Sequence, residues 1–248
     1  VAFTGCVTAW VALRLPESYA PALAVAIGAL CAMVLMAASG AISGLLRVRF
    51  NVPTFISTLA WFLVLRGAAG QLTHGFPIAS FPAGFSSLGA GHIGPVPVPA
   101  LIFLGVFLLI QLLMSFTTFG RSIYAVGGNA EAARLSGIPV GLVKTSVMVI
   151  VALLAALAGL MQASQIASGD PKTAMGWELD VIASVIIGGT SLTGGSGRIW
   201  GTFIGILFLG VLLNGMTLMN VSPYWQDIVR GGLILLAVLL NATLSKRR

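Results

Sequence analysis

The sequence predicts an all-α protein, a single polytopic helical membrane domain of about seven to eight membrane segments. Three observations predict it. Hydrophobic residues make up 58% of the 248 residues and charged residues 8%, where a soluble domain carries roughly a quarter charged. Mean hydropathy is +1.04, which leaves too little polar surface to cover a soluble globule. The apolar residues fall in continuous runs near the ~20 residues that a helix needs to cross a bilayer core, without the two-residue alternation of a membrane β-barrel.

The runs lie at 1–13, 20–46, 53–70, 99–118, 143–163, 179–190, 199–219 and 225–243. The first is too short to span, and the chain opens on Val1 rather than Met. Residues 1–248 are therefore expected to form one transmembrane domain whose N-terminal spans are missing. Run 179–190 is also too short, and it ends in Gly188-Gly189-Thr190-Ser191-Leu192-Thr193-Gly194-Gly195-Ser196-Gly197-Arg198. Gly-rich backbone at membrane depth is tolerated only inside protein or along a water-filled cavity, because its polar groups otherwise lack partners. The expectation is a broken or re-entrant helix near residues 179–200 facing a transport path; the alternative is a tight turn with glycines for close packing. Gly40-x-x-x-Gly44 and Gly201-x-x-x-Gly205 predict close helix contacts.

Thirteen basic against six acidic residues give a net charge of +7. The basic residues sit singly or in pairs in the turns, so topology explains them better than nucleic acid does. Arg47, Arg49, Arg121, Arg134, Lys144, Arg198 and the C-terminal Lys246, Arg247 and Arg248 fall on one side, which is cytoplasmic by the positive-inside bias. Glu17, Asp170, Glu178, Asp180 and Asp227 fall at or near the other side, with the long Gly- and Pro-rich connection 71–99. His74 and His92 in that connection lack a second ligand pair, so no metal site is expected. Cys6 and Cys31 are expected as buried, reduced packing residues.

The most polar stretch between spans runs from Gly127 to Pro139. Asn129 can cap a helix, Glu131 suits its positive end, Arg134 its C-terminal half, and Gly137 with Pro139 stops it. So short a helix is marginal in water and must be held by what it packs against. It reads either as a handle for a soluble partner or as an ordinary interfacial loop helix.

Some chemistries are excluded. The chain has no G-x-x-x-x-G-K-[ST] phosphate loop, so any ATP-driven work needs another chain. Gly194-Gly195-Ser196-Gly197 matches the G-x-S-G of intramembrane serine proteases, but both histidines are assigned to the opposite side, away from Ser196. Asp227 and Arg230 are placed to pair on one helix face. The centres of the runs are nearly uncharged, which argues for an external energy source rather than an ion-coupled secondary carrier.

The chain closely resembles the permease subunit of ribose-type ABC importers. The resemblance is carried by Gly120-Arg121-Ser122-Ile123-Tyr124-Ala125-Val126-Gly127-Gly128-Asn129 running into Glu131-Ala132-Ala133-Arg134-Leu135-Ser136-Gly137-Ile138. It continues in Gly176-Trp177-Glu178-Leu179-Asp180-Val181-Ile182-Ala183, in Ile187 to Thr202 and in Val52-Pro53-Thr54-Phe55-Ile56-Ser57-Thr58-Leu59. It implies a homodimer in the bacterial cytoplasmic (inner) membrane, surrounded by lipid, with a cytoplasmic ATP-binding subunit and a periplasmic sugar-binding protein as partners. No cofactor belongs to this chain; ATP and magnesium would sit in the partner ATPase. Residues 129–137 become the cytoplasmic coupling helix, with Asn129, Glu131, Ala132, Ala133, Arg134, Gly137 and Pro139 as the coupling residues. Thr190, Ser191, Thr193 and Asn214 are the candidates for a translocation path that exchanges hydrogen bonds with sugar hydroxyls. Glu17, Asp170, Lys172 and Glu178 are outward charges that could meet the binding protein. The same machine for a branched-chain amino acid, a nucleoside or another small polar solute is the alternative.

Overall fold

In a computed structural model, which describes residues 1–16, 20–79, 81, 85–191 and 194–245, every apolar run is helical. The runs become α1 (Ala2–Arg14), α2 (Pro21–Phe50), α3 (Thr54–Thr73), α5 (Val98–Phe116), α8 (Val140–Gln165), α9 (Trp177–Ile187), α10 (Ile199–Leu218) and α11 (Pro223–Ser245). Short helices α4 (Ser87–Ala90), α6 (Thr118–Gly128) and α7 (Ala130–Leu135) lie between them. Strand structure among the described residues is confined to the hairpin of β1 (His92–Ile93) with β2 (Val96–Pro97) and to a bridge between Ile78 and Gly169.

Among the described residues, α2, α3, α5, α8 and α10 are long and apolar enough to cross a membrane. Helices α1 and α9, with 13 and 11 residues, reach only about 20 and 17 Å at 1.5 Å per residue, short of a ~30 Å core. The eight expected segments are thus all helices but of unequal reach. The interrupted one is α9, which stops at Ile187, with helix resuming at Ile199.

The chain divides into two compact units, Val1–Gly105 with Pro139–Ala174, and Val106–Ile138 with Met175–Arg248. In the first, α2 and α8 run antiparallel along a seam of small residues. A Cβ on Gly40 would lie 2.6 Å from the Met148 carbonyl, and one on Gly44 2.6 Å from Thr145 Cα. Most residues buried along α2 are small, among them Ala32, Ser39, Gly40, Ser43 and Gly44, while Leu30, Val34 and Leu45 point outward. That is the pattern of a membrane helix, where lipid covers large apolar side chains and helices meet through small ones.

At one end of this unit Val48, between Arg47 and Arg49, lies against Gly141 at the start of α8, one turn before Lys144. At the other end the segment after α3 folds onto the end of α8. Ser164 Oγ accepts from the Gly89 amide at 2.7 Å and donates to the Phe85 carbonyl at 2.5 Å. Phe85 stacks on Phe81 at 4.4 Å and joins Val25 and Ala163 in a small core.

In the second unit α9 and α10 form a close hairpin. Gly205 packs on the Ser184 carbonyl, and a Cβ on Gly188 would lie 2.5 Å from the Gly201 carbonyl. Phe107, Trp200 and Phe203 gather their rings at 4.5 to 5.8 Å. Away from the 188–198 connection, Asp180 on the first turn of α9 pairs with Arg230 of α11 at 2.5 Å.

Candidate functional site

The site is built in the second unit around α7. The chain leaves α5 through a sharp corner at Thr117, whose hydroxyl donates to the Leu113 carbonyl at 2.6 Å and accepts from the Gly120 amide at 3.1 Å, so α6 starts already capped. Gly120 is buried against the carbonyls of Leu113 and Met114, where a Cβ would not fit. After eleven residues in all, α6 ends at Gly128, and Asn129, in extended backbone at φ −152°, closes one helix and opens the next.

Asn129 serves both helices at once. Its amide donates to the Ala125 carbonyl of α6 at 3.0 Å, and its own carbonyl accepts from Ala133 of α7 at 3.0 Å. Its side-chain oxygen accepts from the amides of Glu131 and Ala132, each at 3.0 Å. The other end of α7 is closed by Gly137 at φ +82°. The Gly137 amide donates to the Arg134 carbonyl and the Ile138 amide to the Ala133 carbonyl, each at 3.0 Å. That is a Schellman termination, which needs a residue free to adopt left-handed backbone, hence glycine.

Between the caps, Arg134 donates to both carboxylate oxygens of Glu131, at 2.6 and 3.2 Å. This hydrogen-bonded pairing holds the Glu131 carboxyl below the usual carboxylate range. Both side chains remain two-thirds exposed, and Leu135 is 77% exposed, whereas Ala133 is 5% exposed. A six-residue helix that would not persist in water is thus fixed by its two caps and by one buried alanine, with an acid, a base and a leucine facing outward.

The 188–198 connection packs on the end of α6. Helix α9 terminates as α7 does, with the Gly189 amide donating to the Ile186 carbonyl at 2.9 Å and Thr190 to Val185 at 3.2 Å. Gly194 and Gly195, at φ +94° and +75°, lie directly on Gly127 and Gly128. A Cβ on Gly195 would stand 2.6 Å from Gly128 Cα, and one on Gly127 2.7 Å from the Gly195 nitrogen. One turn back along α6, the Tyr124 hydroxyl donates to the Gly197 carbonyl at 3.1 Å. Thr190, against which a Cβ on Gly197 would press at 2.9 Å, has its hydroxyl 3.3 Å from that of Thr202 on α10.

The coupling candidates therefore lie together: Asn129, Glu131, Ala132, Ala133, Arg134 and Gly137 form α7 and its caps, and Pro139 starts α8. Of the path candidates, Thr190 and Ser191 sit half-buried in the 188–198 connection, where the Ser191 amide donates to the Ser196 carbonyl at 3.0 Å. Thr193 lies outside the described residues. Asn214 is exposed and twelve positions beyond Thr202 on α10, about 18 Å along the helix axis, so the structure does not gather it with the other two. Of the outward charges, Asp170 accepts from the Lys172 amide at 2.8 Å in a local turn, Lys172 and Glu178 are exposed, and Glu17 lies outside the described residues. Sequence pattern gave no role to Tyr124 and no partner across helices to Asp180. The adjacent glycines 127 and 128, before a capping residue, were the available signal for close approach.

Residues 1–238 match the family described as the permease component of branched-chain amino acid transport systems. The chain is 45% identical over 214 residues to the ribose import permease protein RbsC of Escherichia coli K12, covering 85% of this chain and 67% of that protein. It is 44% identical over 201 residues to RbsC of Bacillus subtilis 168, with 80% and 62% covered. The L-arabinose ABC transporter permease protein AraH of Azospirillum brasilense is 39% identical over 204 residues, with 82% and 60% covered. The chain thus spans between 60% and 67% of the length of these three relatives. No solved structure matches it. With its helical spans and with this extent of similarity, the chain belongs to that family of multi-pass inner-membrane permease components.

Proposed function

We propose that the chain is the membrane-spanning subunit of an ATP-binding-cassette importer and forms the gated path of a monosaccharide such as ribose. It works as a homodimer with a cytoplasmic ATPase that binds ATP and magnesium, and with a periplasmic sugar-binding protein. The observation that carries the reading is α7, capped at both ends, anchored by Ala133 and exposed over Glu131, Arg134 and Leu135. Such an element suits a groove in a soluble partner, because its conformation is already paid for before docking.

On this reading Asn129, Glu131, Ala132, Ala133, Arg134, Gly137 and Pro139 couple the ATPase to the spans. Ala132 and Ala133 keep the helix slim, and the left-handed Gly137 turns the chain into α8. Thr190 and Ser191 offer hydroxyls near the break between α9 and α10, and Thr193 and Asn214 remain candidates for the same path. Glu17, Asp170, Lys172 and Glu178 present charge to the binding protein. Names of relatives favour a sugar, since RbsC and AraH are named for ribose and arabinose; the family's description favours a branched-chain amino acid as the second reading.

Uptake into vesicles carrying the permease complex tests this. Labelled ribose is expected to enter only with the ATPase, the binding protein and ATP all present. Uptake driven by an ion gradient without ATP would overturn the importer reading, and entry of leucine but not ribose would move the solute to the second reading.

A further inference from the structure

Among the described residues, Gly127 and Gly128 of α6 meet Gly194 and Gly195 of the 188–198 connection backbone to backbone, across 66 to 68 positions of sequence. Tyr124, Gly127 and Gly128 stand at i, i+3 and i+4, hence on one face of α6. The glycines meet Gly194 and Gly195 with no side chain between them, and the tyrosine hydroxyl holds Gly197. Interfaces that contain side chains can absorb a shift by changing rotamers. The meeting of these four glycines has no rotamer to change. On its far side, Gly197 bears on Thr190, and Thr190 reaches Thr202 at the start of α10. On its near side, Asn129 hydrogen-bonds backward into α6 and forward into α7.

We propose that Tyr124, Gly127 and Gly195 are positioning residues that make α6 a strut, carrying a displacement of α7 to the junction of α9 and α10. The proposal rests on the coupling reading of α7 and adds the route by which motion leaves it. The Tyr124 hydroxyl fixes the register of the strut, and the paired glycines let the backbones approach closely enough for the push to be direct. Thr190 and Ser191 lie at the receiving end.

The test uses the assembled complex in lipid nanodiscs and vesicles with Tyr124→Phe, Gly195→Ala and, on the outer face of α7, Leu135→Glu. Tyr124→Phe removes one oxygen and keeps the ring. It is expected to leave ATPase association and melting temperature unchanged while raising ATP consumed per solute imported about fivefold, the factor that one neutral hydrogen bond carries. In the parent complex, a non-hydrolysable ATP analogue should change amide exchange at Gly194 to Arg198, and this response should shrink in Tyr124→Phe. Gly195→Ala should do the same more strongly, and if it does not assemble, Tyr124→Phe decides alone. An unchanged ATP-to-solute ratio and an unchanged exchange response in Tyr124→Phe would overturn the strut. So would a fall in melting temperature that accounts for the whole effect. Leu135→Glu should abolish ATPase association; retained association would instead overturn the coupling reading, whatever the Tyr124 variant does.

Discussion

Arg230 holds Asp180 at 2.5 Å across from α11 to α9 while reaching Asp227 on its own helix at 3.2 Å. Arg230 and Asp180 are 20% and 26% exposed, and Asp227 is 69% exposed, so the pair between helices is the one shielded from water. Without Asp180, Arg230 keeps only the exposed Asp227 as its partner among the described residues. Asp180→Asn is expected to lower unfolding free energy by about 1–3 kcal/mol, and Asp227→Asn by about 0.5 kcal/mol or less. Thermal unfolding of the two variants in one detergent measures the difference.

Asn129→Ala removes the acceptor for two amides at the start of α7. The cost is about 1 kcal/mol, and Ser or Asp at this position should restore most of it. Amide exchange at Glu131 and Ala132 is the direct measurement, with a rise of about fivefold expected for the alanine variant alone.

Gly137→Ala forces a side chain into left-handed backbone at φ +82°. With open space around the Cβ position, the penalty is backbone strain of about 1–2 kcal/mol rather than a clash. Gly137→Asn should be milder than Gly137→Ala, because asparagine tolerates this region. Exchange at the Ile138 amide reads the loss of the termination in both.

The Glu131–Arg134 pair gives α7 a pH dependence of defined sign. Arg134 holds the folded carboxyl below its ordinary range, so the contribution is full at any pH above the ordinary, unfolded value. It is lost as pH falls through the depressed folded value. Exchange of the α7 amides, corrected for intrinsic rates, should therefore rise only in the acid limb, and Glu131→Gln should abolish that limb.

Ser164→Ala strips the Gly89 amide of its acceptor and leaves the Phe85 carbonyl with the Leu88 amide alone, at 3.2 Å. Leaving the buried amide unpaired costs about 1–3 kcal/mol, concentrated on the segment between α3 and α5. Limited proteolysis within 71–99 should quicken while the α2–α8 pair stays protected. Gly89→Ala, whose Cβ would run into the backbone of Met161 and Gln165, should be the more severe of the two.

Elements closed by local signals were legible in the sequence. All eight apolar runs are helices, and the caps of α7 are readable because Asn129 and Gly137 act within three or four residues of themselves. Boundaries were less so. The apolar run 20–46 becomes a helix to Phe50, since backbone hydrogen bonding does not stop where hydropathy does, and the left-handed Asn51 ends it instead. What remained illegible depends on register between distant segments: Tyr124 with Gly197, Asp180 with Arg230, Ser164 with Gly89. None of these leaves a periodic trace in the chain. The glycines of 188–198 could be read as path lining or as packing, and on the described residues Gly194 and Gly195 pack on α6.

The seam between α2 and α8 sets how this chain can diverge. At Gly40 and Gly44 the neighbouring helix occupies the volume of a methyl group, so in a randomised library glycine should be nearly the sole survivor at both. Elsewhere on α2, Leu30 and Leu45, turned outward, should accept almost any greasy residue. Sequence drift in such a protein is permitted on its lipid-facing skin and frozen along its spine.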